Sequence, residues 1–144
     1  MMRKVMTSRA AVHVLRNTRA LSTSARSRVK ILGSDEAYTQ IATKCLRCVL
    51  QEGTGRKAIV YFTAKWCPPC KMIGPIYDEL SANFEGIDFA KLDVDDLNET
   101  TSKAGVRSMP TFFYFKDGKF QQSLSFSGAD EDLLRNNVKQ LNDL

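Results

Sequence analysis

Residues 58–63 read AIVYFT, an apolar run that lacks the alternating polar positions of a strand with one face in water. Such a run fits the interior of a sheet covered on both sides, and the covering layers must come from neighbouring segments. Upstream, Tyr38, Ile41, Ala42, Cys45 and Val49 recur at helical spacing behind a Ser34 cap and the acidic first-turn residues Asp35 and Glu36. The tract Glu52-Gly53-Thr54-Gly55 ends that helix. Downstream, Ile73, Ile76, Tyr77, Leu80 and Phe84 share one face of a second helix running from about residue 67 to residue 84. Pro75 lies inside it and predicts a kink, because proline removes one helical hydrogen bond.

The remaining chain repeats the alternation. Arg28 to Leu32 reads as a first edge strand, Ile87 to Val94 as a central strand, Leu97 to Ala104 as a short helix, and Thr111 to Phe115 as a third apolar strand. Asp117-Gly118 predicts a tight hairpin, with Phe120 to Phe126 returning as its partner strand. Asp130 to Leu144 closes the chain as an amphipathic helix with Leu133, Leu134, Val138 and Leu141 inward. The order β-α-β-α-β-α-β-β-α predicts an α/β fold, a central mixed sheet flanked by helices on both faces with an antiparallel hairpin at one edge.

A formal net charge of +5 would point to nucleic acid or an anionic surface if it were spread over the molecule. It is not spread. Residues 1–30 hold Arg3, Lys4, Arg9, Arg16, Arg19, Arg26, Arg28 and Lys30 and no acid, which leaves 13 of the 21 basic residues against all 16 acids in residues 31–144. The body is therefore mildly acidic, and neither a nucleic-acid partner nor a membrane is expected. No segment approaches the run of about 18 apolar residues needed to span a bilayer. Residues 1–27, rich in Arg, Ser and Thr and free of acids, have the composition of a mitochondrial transit peptide. The tract Arg19-Ala20-Leu21-Ser22 resembles a processing site cut after Leu21. The expected organisation is thus a leader over 1–27 and one domain over 28–144, acting in the mitochondrial matrix.

Four cysteines in two C-x-x-C pairs are too few for a disulfide scaffold, so they read as redox or metal groups. Cys67-Pro68-Pro69-Cys70 falls where a buried strand gives way to a helix. At a helix N-terminus the unpaired amides and the helix dipole favour a thiolate at Cys67, while Cys70, one turn in, should be shielded. Cys67 can then attack a substrate disulfide and Cys70 can resolve the mixed disulfide. Pro68 withholds an amide donor from the sulfur and, with Pro69, stiffens the loop. Eighteen residues separate the Cys45–Cys48 pair from the Cys67–Cys70 pair, a spacing that also fits a zinc or iron–sulfur site made by Cys45, Cys48, Cys67 and Cys70. Against metal, Cys45 lies on the apolar stripe of a helix; core packing of Cys45 and a regulatory thiol at Cys48 are the other readings. No cofactor is expected.

The segments TAKWCPPCKMIGPIYDEL, FAKLDVDD and VRSMPTFFYFKDGK together resemble the thioredoxin family over roughly residues 28–144. The resemblance implies the thioredoxin fold, a nucleophilic Cys67, a resolving Cys70, and a cis bond at Met109-Pro110 that presents backbone to an extended substrate. It implies a docking rim of Trp66, Ser108, Met109, Pro110 and Gly128. One departure concerns a carboxylate that thioredoxins commonly bury in the strand before the active site; Tyr61 stands there, beside Lys91, which matches that carboxylate's usual partner. Tyr61, Lys91, Pro68 and Pro69 are therefore expected to tune the thiols. With the N-terminal leader, the YFTA-x-WC pattern is similar to plant mitochondrial o-type thioredoxins. The function so implied is a monomeric protein-disulfide reductase and dithiol carrier that reduces disulfide-containing proteins such as peroxiredoxin and is recharged by an NADPH-dependent thioredoxin reductase. A related oxidase or isomerase, or a peptide-binding module, shares much of this sequence pattern.

Overall fold

The computed structural model describes residues 27–40 and 55–144 of the chain. The expectations for the leader up to residue 26, for the later turns of the first helix, and for Cys45 and Cys48 lie outside the described residues. Strand β1 (Lys30–Leu32) is followed by helix α1, which starts at residue 35 with the Ser34 hydroxyl accepting the Ala37 amide at 3.2 Å, and is described through residue 40. Then come β2 (Lys57–Thr63), α2 (Pro68–Asn83), β3 (Ile87–Asp93), α3 (Asn98–Lys103), β4 (Thr111–Lys116), β5 (Lys119–Phe120), β6 (Phe126–Ser127) and α4 (Glu131–Asp143).

The sheet runs β1-β3-β2-β4-β5, with β6 also paired to β4. β1, β3 and β2 are parallel and β4 is antiparallel to β2, so the sheet is mixed. The apolar run that opened the sequence is its centre, and Ile59, Val60, Tyr61 and Phe62 are all fully buried. Alternate side chains of β2 serve the two layers. Tyr61 meets Tyr77 of α2 with ring centroids 5.1 Å apart, and Phe62 meets Tyr38 of α1 edge-on at 5.9 Å. Helices thus cover both faces, as the two-sided hydrophobicity of β2 requires.

Two local readings are corrected. Residues 120–126 do not form one strand: Phe115 pairs with Phe120, but Phe112 pairs with Phe126, so the return path holds three more residues than β4 offers partners for. The surplus forms a turn in which the Leu124 and Ser125 amides both donate to the Gln121 carbonyl, and Leu124 drops into the core. The Ser125 hydroxyl then accepts the Tyr114 amide at 3.2 Å, a bond that a strand carbonyl would otherwise take. In α4, Leu134, Val138 and Leu141 are inward as expected, but Leu133 is 39% exposed and Asn137 takes the inward place, donating to the Leu124 carbonyl at 2.7 Å. α2 continues through Pro75 as one helix.

The register fixes what gathers at one end of the sheet. Thr63 stands beside Asp93 at the ends of β2 and β3, and Phe62 is opposite Thr111 at the start of β4. The β2–α2 junction, the β3–α3 loop and the segment before β4 therefore converge.

Candidate active site

At that end Cys67 and Cys70 are joined by a disulfide, with Cα atoms 5.3 Å apart. Cys67 is the N-cap of α2, and its sulfur accepts the Cys70 amide at 3.3 Å. The prolines explain why that donor is the one used. Pro68 and Pro69 occupy the first two helical positions and have no N–H, so the Cys70 amide is the first that the turn can offer. Both cysteines are only 3% exposed: Cys70 is shielded, as expected, and Cys67 is shielded equally. They differ in hydrogen bonding and in place along the helix.

The residues expected to form a rim lie on the loops that converge at this end. Trp66 is 61% exposed, and its indole N–H donates to an Asp95 carboxylate oxygen at 2.8 Å. Beside it the Lys65 ammonium lies 3.5 Å from Asp96 and 3.6 Å from Asp93, and these carboxylates, Asp96 foremost, hold its pKa above the usual lysine value. The Met109-Pro110 bond is cis, as expected. Its loop is stapled to β6: the Gly128 amide donates to the Pro110 carbonyl at 2.8 Å, and the Thr111 hydroxyl donates to the Ser108 carbonyl at 2.7 Å while bonding the Ser127 hydroxyl at 2.6 Å. Gly128 has φ +117°, a conformation that strains any residue with a Cβ, and a Cβ there would point into open space. Ser108, Pro110 and Gly128 are thus brought together, with Met109 half-buried between them and solvent.

Beneath the helix start lies Tyr61. Its ring stacks on Phe112 at 4.8 Å, the Lys91 ammonium sits 5.6 Å from the ring centroid, and its hydroxyl donates to the Cys70 carbonyl at 3.0 Å. Lys91, whose usual carboxylate partner is replaced here by Tyr61, therefore meets an aromatic face. Burial pushes the Tyr61 pKa above the usual tyrosine value, outweighing a hydrogen bond to Thr63, so the phenol stays protonated and acts as a donor. An open cleft of about 560 Å³ runs along this side, lined among others by Thr63, Cys70, Gly74, Asp78, Lys91 and Asp93.

Sequence reasoning missed Asp95, Thr111 and Ser127. The Asp-rich end of β3 was a signal for the first. The two hydroxyls act across β4–β6, a pairing visible only once the broken return strand is known. Among the described residues no group of three or more His, Cys, Asp or Glu side chains is placed to hold a metal ion. A vicinal dithiol that closes to a disulfide at a helix N-terminus, beside a cis-proline loop, can exchange two electrons with another disulfide.

Residues 40–140 match the sequence profile of the family described as Thioredoxin. The chain is 43% identical over 102 residues to the H-type thioredoxin of Picea mariana, spanning 69% of this chain and 80% of that one. The crystal structure of thioredoxin NaTrxh from Nicotiana alata superposes with TM-score 0.70 at 32% identity, over 83% of this chain and 96% of that one. A chain from a structure concerned with the thiol resolving mechanism in yeast mitochondrial 1-Cys peroxiredoxin via glutathione/thioredoxin systems gives TM-score 0.66 at 25% identity, over 79% and 98%. With its fold, its Cys67–Cys70 disulfide and these relatives, the chain belongs to the thioredoxin family and is a dithiol–disulfide oxidoreductase that acts on disulfide-containing substrates and is reduced by thioredoxin reductase.

Proposed function

We propose that this thioredoxin works in the mitochondrial matrix as an o-type-like member, with Cys67 as the attacking sulfur and Cys70 as the resolving one. The observation that carries the assignment is the N-cap position of Cys67, whose sulfur receives the Cys70 amide at 3.3 Å. A negative charge on that sulfur is favoured by the amide and by the helix N-terminus, and among the described residues the Cys70 sulfur has no equivalent donor. Trp66, Ser108, Met109, Pro110 and Gly128 form the docking rim, an extended target strand lying along the cis-proline loop. Pro68, Pro69, Tyr61 and Lys91 tune the pair. Two cysteines beyond the described residues, Cys45 and Cys48, are assigned core packing and a regulatory thiol.

Electrons come from an NADPH-dependent reductase, and peroxiredoxin is a target. The second assignment is supported by the similarity to a chain studied with a mitochondrial 1-Cys peroxiredoxin. Matrix location rests on the acid-free, basic residues 1–27.

The roles are tested by trapping. Cys70→Ser should accumulate a mixed disulfide between Cys67 and a peroxiredoxin or insulin, stable on non-reducing gels, and should lose nearly all turnover with NADPH and reductase. Cys67→Ser should trap nothing. The opposite pattern would exchange the two roles.

A further inference from the structure

The Tyr61 hydroxyl is buried, and besides the Thr63 side chain of its own strand it meets the Cys70 carbonyl, to which it donates at 3.0 Å. We propose that Tyr61 is a positioning residue for the resolving step: its hydroxyl anchors the turn that carries Cys70 to the central strand, and so sets how readily Cys70 reaches the Cys67 sulfur. The inference rests on the roles of Cys67 and Cys70 given above and adds the element that aligns them.

The case begins with how that turn is held by its own helix. At its start Pro68 and Pro69 supply no amides, and four residues beyond Lys71 stands Pro75, which has no N–H for the Lys71 carbonyl. The prolines at the start replace amides that no helix pairs, so the bond missing from the first turn of α2 is the one that Pro75 cannot donate. β2, in contrast, is paired along its length to β3 on one side and β4 on the other, and Tyr61 is opposite Lys91 and Phe112 in those two registers. Stacking on Phe112 and packing on Tyr77 leave the ring no freedom to swing. A hydroxyl fixed in this way and bonded to the Cys70 main chain refers the position of Cys70 to the sheet as well as to its own helix. Because burial keeps the phenol protonated, the bond persists across the working pH range.

The step it serves balances within the protein and its target. The Cys70 sulfur attacks the Cys67 sulfur of the mixed disulfide; the Cys67–Cys70 bond forms and the Cys67–target bond breaks. The target leaves as a thiolate, reduced by two electrons that the two protein sulfurs have lost. The Cys70 proton passes to water, which reaches this residue through the cleft that Cys70 lines.

Tyr61→Phe removes the bond and keeps the ring. Full-length protein is equilibrated with glutathione at fixed redox ratios, and the Cys67–glutathione mixed disulfide is quantified against the closed Cys67–Cys70 ring, which gives the effective concentration of Cys70. The loss of one hydrogen bond should lower that value by about two- to tenfold, while the rate at which iodoacetamide alkylates Cys67 stays within about twofold of wild type. Phe115→Leu is the control, since it loosens the buried strand β4 at a ring that packs on Phe120; it should lower Tm and leave ring closure unchanged. Unchanged ring closure in Tyr61→Phe, or an equal loss in Phe115→Leu, would overturn the proposal. Failure of the wild-type protein to close the ring would instead refute the assigned roles of the two cysteines.

Discussion

The hydroxyl of Tyr77 points at the carbonyls of Ile59 and Ala90, each 2.9 Å away, whereas the buried hydroxyl of Tyr114 finds no partner among the described residues. Burial raises the pKa of both phenols, so each remains a neutral donor. An unpaired buried hydroxyl carries a desolvation penalty that a phenylalanine ring of the same shape does not. Tyr114→Phe is therefore expected to raise the free energy of unfolding by about 1–2 kcal/mol, read as a higher urea midpoint with an unchanged m-value. A lower midpoint would show that the hydroxyl is satisfied in solution. In the sequence Tyr61, Tyr77 and Tyr114 look alike, each an aromatic within an apolar pattern. They differ in which carbonyl faces the hydroxyl, and those carbonyls lie nine to eighteen residues away along the chain for Tyr61 and Tyr77. Local patterning carries no such information. The Cys-Pro-Pro-Cys chemistry, in contrast, was legible because capping, prolines and sulfurs all fall within one helical turn.

Among the elements, α2 and α4 share a face of the sheet and are clasped by Arg135. Its guanidinium reaches both carboxylate oxygens of Glu79, at 3.3 and 3.1 Å, and Glu131 within its own helix at 2.9 Å. The hydrogen bond and charge of Arg135 lower the Glu79 pKa below its usual 4.5. A depressed carboxylate pKa means that the native state holds Glu79 ionised more readily than the unfolded chain does. The stabilisation is then complete above about pH 4.5 and fades as the pH falls through the lower, folded value. Arg135→Ala should lower Tm slightly at pH 7, by about 1–3 °C for so exposed a clasp, and the difference from wild type should shrink at pH 3. A difference that grows on acidification would reverse the sign of this linkage. Element order and most boundaries followed from periodicity, within one or two residues at β2, α2, β3 and β4. The return from β4 was misread because Phe120, Leu124 and Phe126 keep the two-residue spacing of a single strand. The extra residues change the register without disturbing that alternation, so the turn through Leu124 leaves no trace in the pattern. Leu133 was misassigned for a related reason: one residue from Leu134, it sits at the border of the apolar stripe, and packing rather than composition decides its side.

At the scale of the molecule, the charge of the chain divides between an acid-free basic N-terminus and a body with more acids than bases. If the first belongs to a leader, residues 1–30 fused to a fluorescent reporter should carry it into mitochondria, and import should shorten the protein; diffuse cytosolic signal would remove the targeting assignment. The fold could be read at this scale because buried strands and amphipathic helices alternate without a repeat. What could not be read was the convergence at one sheet end, since the loops that carry Trp66 and Asp95 and the start of β4 at Thr111 are brought to it by the pairing of β2 with β3 and β4. That convergence has an optical consequence. Trp66 is the only tryptophan in the chain, it adjoins Cys67, and it is tethered to Asp95 at the mouth of the site. All indole emission from the protein therefore originates one residue from Cys67, with no second fluorophore of its kind to dilute it, so ring opening and target docking both write onto a single spectroscopic channel.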